Sequence, residues 1–270
     1  MLIQFQALPR FHFVAVTFIK FNLILFCMVK NLLLVSTSTL HGSGYLDHCE
    51  PQIRGVLEGR KGVLFVPYAR PSGRTLDEYT TIARERLQKM GFDLSGIHEH
   101  DDPRRAVEDA EAIFIGGGNT FVLLKSLYDA NIMDSIRDKV RKGMPYIGTS
   151  AGSNVAGRTI MTTNDMPIVY PSSFEAMELV PFIINPHYLD PDPGSRHMGE
   201  TRETRIKEYH AFNDDVVVGL REGAMLHVVR DKVYLKGSAG ARIFRKGQEP
   251  TEHQPGEPLD FLLSGIDAIN

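Results

Sequence analysis

A serine flanked by small residues stands in the stretch YIGTSAGSN, which runs from Tyr146 to Asn154. Its centre, GTSAG (Gly148–Gly152), fits the pattern G-x-S-x-G. In that pattern a sharp strand-to-helix turn exposes the serine hydroxyl and aims the next N–H group at a developing oxyanion. Small neighbours fit such a corner because a bulky side chain would meet the adjacent strand. We therefore predict a nucleophile at Ser150; a tight turn that serves packing alone is the alternative.

A glycine cluster, GGGNT (Gly116–Thr120), follows one predicted strand and precedes a predicted helix. Its backbone N–H groups can gather around a nucleotide phosphate or around a carbonyl oxygen. The phosphate is disfavoured because the cluster has neither GK[ST] nor a G-x-G-x-x-G register. We favour the second half of an oxyanion hole, since glycines let this segment approach Ser150 closely.

A general base must take the serine proton, and ten histidines compete for that role. His187 stands out because IINPHY places it directly after a short apolar strand, where its side chain would face the same rim as Ser150. His98 and His100, in GIHEHDD, suggest a metal pair, but no third ligand has sensible spacing. We favour His187 as the base and expect no metal.

A histidine base needs a carboxylate that fixes its tautomer and stabilises its charged form. Glu222, in GLREGA, ends one predicted strand. Asp165, in TTNDMP, lies between the helix after the serine and the strand before His187. The residues alone leave both acids open, because each could equally serve a turn or a helix cap.

Alternating strands and helices would position these residues. Buried strands are predicted at NLLLVST from Asn31, at Gly62–Ala69, around Phe92 to Ile97 and at Ala112–Ile115, with amphipathic stretches between and after them. This alternation predicts an α/β fold with a doubly wound, mostly parallel sheet. Four short strands after about Asp214 predict a C-terminal antiparallel edge.

The chain is expected to hold a single α/β domain over residues 28–264, followed by a tail over 265–270. Residues 1–27 contain no acidic residue and are rich in Phe, Leu and Ile. They are either the product of an alternative start upstream of Met28 or a targeting segment. Lys20 divides their apolar part into pieces shorter than the roughly 20 residues that a bilayer span needs.

Composition narrows the class of protein. The 270 residues are 43% hydrophobic and carry a formal net charge of −3, with lysines and arginines scattered among acids. We therefore expect neither a nucleic-acid nor a membrane partner. The two cysteines, Cys27 and Cys49, are too few for a disulfide framework, which favours a reducing, cytoplasmic location.

Six pieces of the chain, GGGNTF, IGTSAGSN, TTNDMPIV, NPHY, GETRE and GLREGA in this order, resemble the aspartyl dipeptidase family, the peptidase E type of serine peptidase. The resemblance covers the chain from about Lys30 to Phe244. It departs from the family in the first 27 residues and in the proline-rich insertion Asp190–Arg196. The fold it implies is akin to that of class I glutamine amidotransferases, which carry a cysteine where this chain has Ser150.

The resemblance also implies a catalytic triad in which Ser150 is the nucleophile, His187 the base and Glu222 the orienting acid, with Asp165 as the runner-up for the acid. Its implied activity is the hydrolysis of dipeptides with an N-terminal aspartate (Asp-X) through an acyl-enzyme on Ser150. Acyl transfer of this kind needs no cofactor.

The oxyanion hole implied by the family consists of the N–H groups of Ala151 and of Gly118, or else Gly117. Arg202, the arginine of GETR, is implied to bind the substrate, together with Asn119. A guanidinium suits this role because it can hold a β-carboxylate through two parallel hydrogen bonds.

Two rival functions remain open. One is a cyanophycinase-like or other acidic-peptide hydrolase built on the same triad, and the other is a non-catalytic protein that binds an acidic metabolite on the same scaffold. The expected partner is a small acidic dipeptide, and the family alone suggests a homodimer.

Overall fold

The computed structural model describes residues 30–192, 194 and 199–264. Residues 1–27 and 265–270, treated above as an extension and a tail, lie outside the described residues, as do residues 193 and 195–198 of the proline-rich insertion. The strands are β1 (Asn31–Val35), β2 (Gly62–Val66), β3 (Asp93–Gly96), β4 (Ile113–Ile115), β5 (Tyr146–Thr149), β6 (Ile183–Pro186), β7 (Val217–Leu220), β8 (Ala224–Val229), β9 (Lys232–Gly237), β10 (Ala241–Phe244) and β11 (Thr251–His253).

The α-helices are α1 (Glu50–Val56), α2 (Leu76–Lys89), α3 (Pro103–Asp109), α4 (Thr120–Asp129), α5 (Met133–Arg141), α6 (Ala151–Asn154) and α7 (Arg202–Tyr209). Short 3₁₀ helices cover Asp47–Cys49, Ile97–Glu99 and Asp260–Leu263. Across the described ranges, none of the helices combines the length and the apolar composition that a membrane crossing requires.

Seven strands form the central sheet in the order β3-β2-β4-β5-β1-β8-β9. The first five of these run parallel, whereas β8 and β9 extend the sheet in antiparallel pairing. This arrangement confirms the predicted α/β fold with its mostly parallel sheet and antiparallel edge. The carboxyl ends of the parallel strands lie along one side of the sheet, here called the carboxyl edge. Sheets of this type bind their ligands at that edge.

The apolar run of β1 explains its central place in the sheet. Leu32 and Leu34 pack into the hydrophobic cluster on one face, and Leu33 and Val35 pack into the cluster on the other. All four side chains are fully buried. A strand covered on both faces is expected to be apolar at every position, because successive side chains point to opposite sides.

A second sheet of four strands has the order β11-β10-β7-β6. β6 and β7 are parallel, and the other pairs are antiparallel. All four strands predicted after Asp214 exist, but they divide between the sheets, because β7 and β10 belong to this second one. The second sheet was not predicted, since apolar alternation indicates that a strand is buried without indicating its partner.

Helix α2 carries the predicted amphipathic pattern. Thr75 caps its first turn by accepting a hydrogen bond from the Glu78 N–H group, and the Glu78 side chain bonds back to the Thr75 N–H group. This capping box fixes where the helix begins. Tyr79, Ala83 and Leu87 then face the sheet and are fully buried. The Tyr79 side chain is thereby directed toward the carboxyl edge.

Candidate active site

Ser150 forms the corner between β5 and α6, with φ of 53° and ψ of −112°. A positive φ is strained for a residue with a Cβ atom and persists only when the surroundings impose it. The two flanking glycines are required by close contacts. A methyl group at Gly148 would lie 2.5 Å from the Gly152 carbonyl oxygen, and one at Gly152 would lie 2.2 Å from that of Ile115. The small residues around Ser150 are therefore needed to form the turn.

Three hydrogen bonds hold this strained corner. The Ser150 N–H group donates to the Val35 carbonyl at 3.0 Å, at the end of β1. The Ser153 hydroxyl lies 2.7 Å from the same Val35 oxygen, and the Tyr146 hydroxyl donates to the Gly152 carbonyl at 2.6 Å. Because Ser153 and Tyr146 are fully buried, these bonds form without competition from water.

Ser150, His187 and Glu222 form one hydrogen-bonded chain. The Ser150 Oγ lies 2.9 Å from His187 Nε2, and His187 Nδ1 lies 2.7 Å from Glu222 Oε1. Because a carboxylate can only accept, Nδ1 carries the proton and Nε2 is left to accept from the serine hydroxyl. The side chains of His187 and Glu222 are 36% and 51% exposed, so a substrate can reach the chain from solvent.

The second sheet explains why the histidine and the glutamate meet. β6 and β7 run parallel, with Pro186 opposite Leu220. His187 follows Pro186, and Glu222 lies just beyond Leu220, so both side chains emerge where these two strands end. The pairing of the two strands was not predicted, and it is what brings Glu222 within reach of His187.

His187 also has a left-handed backbone, with φ of 54°. Its N–H group donates to the Ser36 Oγ at 2.9 Å, and the Ser36 hydroxyl donates to the Leu220 carbonyl at 2.7 Å. Ser36 is fully buried directly after β1. Sequence analysis did not identify this residue, although a serine at the end of a buried apolar strand was a usable signal.

Asp165, the other candidate for the orienting acid, makes hydrogen bonds elsewhere. Its Oδ2 accepts hydrogen bonds from the Thr120 N–H group at 2.8 Å and from the Thr120 hydroxyl at 2.7 Å. The Thr163 hydroxyl lies 3.3 Å from the same oxygen. The carboxylate therefore secures the first turn of α4, and Glu222 is the acid that the structure joins to His187.

The N–H groups of the glycine cluster differ in whether they already have an acceptor. Gly117 donates its N–H to the Tyr79 hydroxyl at 3.0 Å, so this group is already engaged. Neither the Gly118 nor the Ala151 N–H group has an acceptor among residues 30–192, 194 and 199–264. These are the two donors that the family resemblance implies, whereas the N–H group of the alternative, Gly117, already has an acceptor.

Close packing explains why the cluster consists of glycines. A methyl group at Gly117 would lie 3.0 Å from the Ser150 Cβ, so the two segments are in direct contact. Gly118 has φ of 145°, and a methyl group there would lie 2.1 Å from the Ala69 carbonyl oxygen. Both the backbone angle and the contact therefore require glycine at position 118.

Arg202 and Asn119, the predicted substrate-binding residues, lie at the starts of α7 and α4. Arg202 is half-buried, and burial lowers its pKa, followed in effect by the neighbouring Arg205; Asp165 opposes this shift. Among the described residues, no carboxylate lies within ion-pairing distance of Arg202. The Asn119 side chain caps α4 through Val122 N–H and donates to the Met166 carbonyl at 2.9 Å. Asn119 therefore also fixes the loop that carries Asp165.

Arg221, the residue before Glu222, pairs with two carboxylates. It donates two hydrogen bonds of 2.7 Å to the Asp190 carboxylate and two, of 2.9 and 3.2 Å, to the Glu252 carboxylate. The hydrogen bonds from Arg221 lower the pKa of Asp190, which lies three residues after His187. The segments that carry the histidine and the glutamate are thus tied together a second time.

The chain matches proteins of known family over most of its length. The family described as peptidase family S51 matches residues 32–236. "Probable alpha-aspartyl dipeptidase" of Drosophila melanogaster is 51% identical over 237 residues, 87% of this chain and 98% of that protein. "Peptidase E" of Streptomyces coelicolor is 49% identical over 233 residues, 86% and 95% of the two chains. The crystal structure of a peptidase from an acI-B1 Actinobacterium has the same fold, with a TM-score of 0.67 at 20% identity over 86% and 97% of the chains. The chain therefore belongs to peptidase family S51.

Proposed function

We propose that this protein is a serine-type dipeptidase that hydrolyses Asp-X dipeptides through an acyl-enzyme on Ser150. The observation that carries the proposal is the hydrogen-bonded chain from Ser150 through His187 to Glu222, set at a strained strand-to-helix corner. The name of one relative, "Probable alpha-aspartyl dipeptidase", supports the same substrate class, and the name of the other, "Peptidase E", supports a peptidase.

The reaction proceeds in two steps of acyl transfer. Ser150 Oγ attacks the peptide carbonyl carbon while His187 Nε2 takes the hydroxyl proton, and Glu222 stabilises the resulting imidazolium. The N–H groups of Gly118 and Ala151 donate to the oxyanion. His187 then passes its proton to the leaving amine, and the C–N bond breaks to give the aspartyl ester. Water, deprotonated by His187, hydrolyses the ester and restores Ser150.

Arg202 provides the acidic specificity in this proposal. Its guanidinium is half-buried, and no carboxylate lies within ion-pairing distance in the described part of the chain. The β-carboxylate of the substrate would therefore form the missing ion pair with Arg202. Asn-X lacks this charge and would leave Arg202 unpaired. We expect the change from Asp-Leu to Asn-Leu to cost at least about 2 to 3 kcal/mol of transition-state binding. Equal kcat/KM values on the two dipeptides would remove Arg202 from this role.

A panel of four dipeptides tests the proposed function against its rivals. Asp-Leu, Glu-Leu, Asn-Leu and β-Asp-Leu are each incubated with the protein, and the Ser150→Ala variant serves as the blank. Cleavage of Asp-Leu alone is the expected result. Preferential cleavage of β-Asp-Leu would favour the cyanophycinase-like alternative, and no cleavage with retained binding would favour a non-catalytic binding protein.

The assembly and location of the protein are also proposals. We propose a homodimer, which is supported by exposed apolar side chains on one loop, Met166, Ile168 and Tyr170. Sedimentation at micromolar concentration tests it, because a single species of monomer mass would contradict it.

We propose a cytoplasmic location on the basis of the low cysteine content, and fractionation of cells that express the protein tests this location.

A further inference from the structure

Arg70 lies in the turn between β2 and α2, at the carboxyl edge of the central sheet. Strand β2 is hydrogen-bonded to β4, whose end continues into the glycine cluster. The Ala69 carbonyl accepts a hydrogen bond from the Asn119 N–H group at 2.7 Å. A methyl group at Gly118 would lie 2.1 Å from the same oxygen. The residue before Arg70 is therefore in contact with the segment that carries a proposed oxyanion donor.

The guanidinium of Arg70 lies against Tyr79. Its central carbon is 4.4 Å from the centroid of the aromatic ring, which is a favourable distance for a cation–π contact. The hydroxyl of the same ring accepts the Gly117 N–H group, and Gly117 packs against Ser150. A single aromatic ring thus links the Arg70 cation to the segment beside the candidate nucleophile.

Arg70 has no anionic partner in the described ranges of the chain. Its Nε atom is shielded from solvent and makes no hydrogen bond to a described residue, and no described carboxylate lies within 4.0 Å of the guanidinium. The side chain as a whole is half-buried. A shielded charged donor without a partner is costly. An anion bound by the terminal nitrogens of the guanidinium would supply the missing counter-charge.

The charges of an Asp-X dipeptide suggest which anion this is. At neutral pH the molecule carries a β-carboxylate and, on residue X, a free C-terminal carboxylate. Arg202, which interacts electrostatically with Asp165 beside the start of α4, accounts for only one of them. One extended residue spans about 3.6 Å, so the second carboxylate lies one residue beyond the bond that Ser150 attacks.

We propose that Arg70 binds the C-terminal carboxylate of the substrate, and so restricts the enzyme to dipeptides with a free carboxyl group. This inference rests on the proposed function, since it concerns the same site. A guanidinium suits the role because two of its five N–H groups can donate in parallel to both carboxylate oxygens. The carboxylate is not altered by the reaction, so the contact contributes equally to ground-state and transition-state binding.

Binding to an inactive protein tests this inference separately from catalysis. Asp-Leu and Asp-Leu amide are titrated by calorimetry into Ser150→Ala, alone and combined with Arg70→Gln. Arg74→Gln, which changes an exposed arginine of the same turn, is the matched control. The ratio of the two dissociation constants is the measured quantity, because any general disturbance of the site by the substitution cancels in it.

We expect Asp-Leu to bind Ser150→Ala about 10- to 100-fold more tightly than the amide. Arg70→Gln should bring this ratio close to one, and Arg74→Gln should leave it unchanged. Equal affinities for acid and amide, a preference that survives Arg70→Gln, or no binding of Asp-Leu would each overturn the inference. Failure of the proposed function would appear separately, as an absence of Asp-Leu hydrolysis by the unchanged protein.

Discussion

Two residues of unusual backbone geometry face each other at the centre of the candidate site. Ser150 and His187 both have positive φ values, 53° and 54°. The end of β1 holds both of them, because Val35 accepts the Ser150 N–H group and Ser36 accepts the His187 N–H group. Strain at two contacting residues is thus sustained by one buried strand. The distance between Ser150 Oγ and His187 Nε2 is therefore set by this strand and not by the two side chains alone.

Glu222→Gln tests the role of the carboxylate in the hydrogen-bonded chain. The amide cannot stabilise a positive charge on His187, so we expect kcat on Asp-Leu to fall about 100-fold or more. Steady-state kinetics measures this effect. Glu257→Gln is the matched control, because Glu257 accepts from His253 Nδ1 at 2.9 Å in a similar pair. A loss of the same size in both variants, or none in Glu222→Gln, would remove Glu222 from the proposed triad.

Tyr79→Phe tests whether the Tyr79 hydroxyl positions the glycine cluster. The substitution removes the acceptor of the Gly117 N–H group and adds no bulk. We expect kcat to fall about tenfold with little change in KM, because the oxyanion donors act mainly in the transition state.

Tyr128→Phe is a suitable comparison for Tyr79→Phe. It also loses one hydroxyl hydrogen bond, to the Glu175 carbonyl at 2.9 Å, but at the C-terminal end of α4. Kinetics and thermal denaturation of both variants separate a positioning effect from general destabilisation. If the two variants lose kcat equally, Tyr79 has no special role in the site.

At the level of secondary-structure elements, the turn from β4 to α4 packs directly against the serine corner. Gly118→Ala would put a methyl group 2.1 Å from the Ala69 oxygen, at φ of 145°. The turn must shift, so we expect kcat to fall about 100-fold, as for loss of one oxyanion donor.

Gly73→Ala provides the control for this backbone effect. Gly73 also has a positive φ, 85°, but a methyl group there would meet no atom within 4 Å. It should cost about 1 kcal/mol of the free energy of unfolding and leave kcat unchanged. Urea unfolding and Asp-Leu kinetics measure the two effects. Normal kcat in Gly118→Ala would contradict the assignment of the Gly118 N–H group as a donor.

Much of this arrangement could be predicted from the residues. The alternation of apolar strands and amphipathic helices indicated the parallel sheet, and GTSAG and GGGNT indicated two turns at its carboxyl edge. What could not be predicted depends on contacts that are distant in sequence. The contact of Glu222, and not Asp165, with His187 follows from the pairing of β6 with β7. The position of Ser36 after a buried strand was a usable signal, but nothing local indicated that its partner is His187, or that Tyr79 contacts Gly117.

At the level of the whole molecule, the site joins two sheets. Ser150 follows a strand of the central sheet, whereas His187 and Glu222 follow neighbouring strands of the second one. Arg221 adds a connection within the second sheet by binding Asp190 and Glu252. Any change that separates the two sheets would therefore be expected to abolish activity before it unfolds either of them.

Because ion pairs connect distant parts of the molecule, we expect the protein to lose stability in acid. Hydrogen bonds from Arg221 lower the pKa of Asp190, and hydrogen bonds from Lys232 lower that of Asp260. A carboxyl group whose pKa is lowered by folding stabilises the protein above its unfolded pKa of about 3.9, and this contribution is lost as the pH falls through the folded value.

We therefore expect the free energy of unfolding in urea to fall between pH 5 and pH 3, a window of about two units around the unfolded pKa. Asp190→Asn should reduce this dependence, because the amide does not titrate. A free energy of unfolding that is constant over this range, or the same pH dependence in Asp190→Asn, would contradict the claim that the ion pair of Asp190 with Arg221 stabilises the fold.

The central claim is that Ser150 is the nucleophile of an Asp-X dipeptidase. The measurement that tests it most directly is kcat/KM on Asp-Leu for the unchanged protein beside Ser150→Ala. We predict ready hydrolysis by the first and a loss of about 10⁴-fold or more in the second, as expected for removal of a triad serine. Comparable activity in the two proteins would contradict the claim.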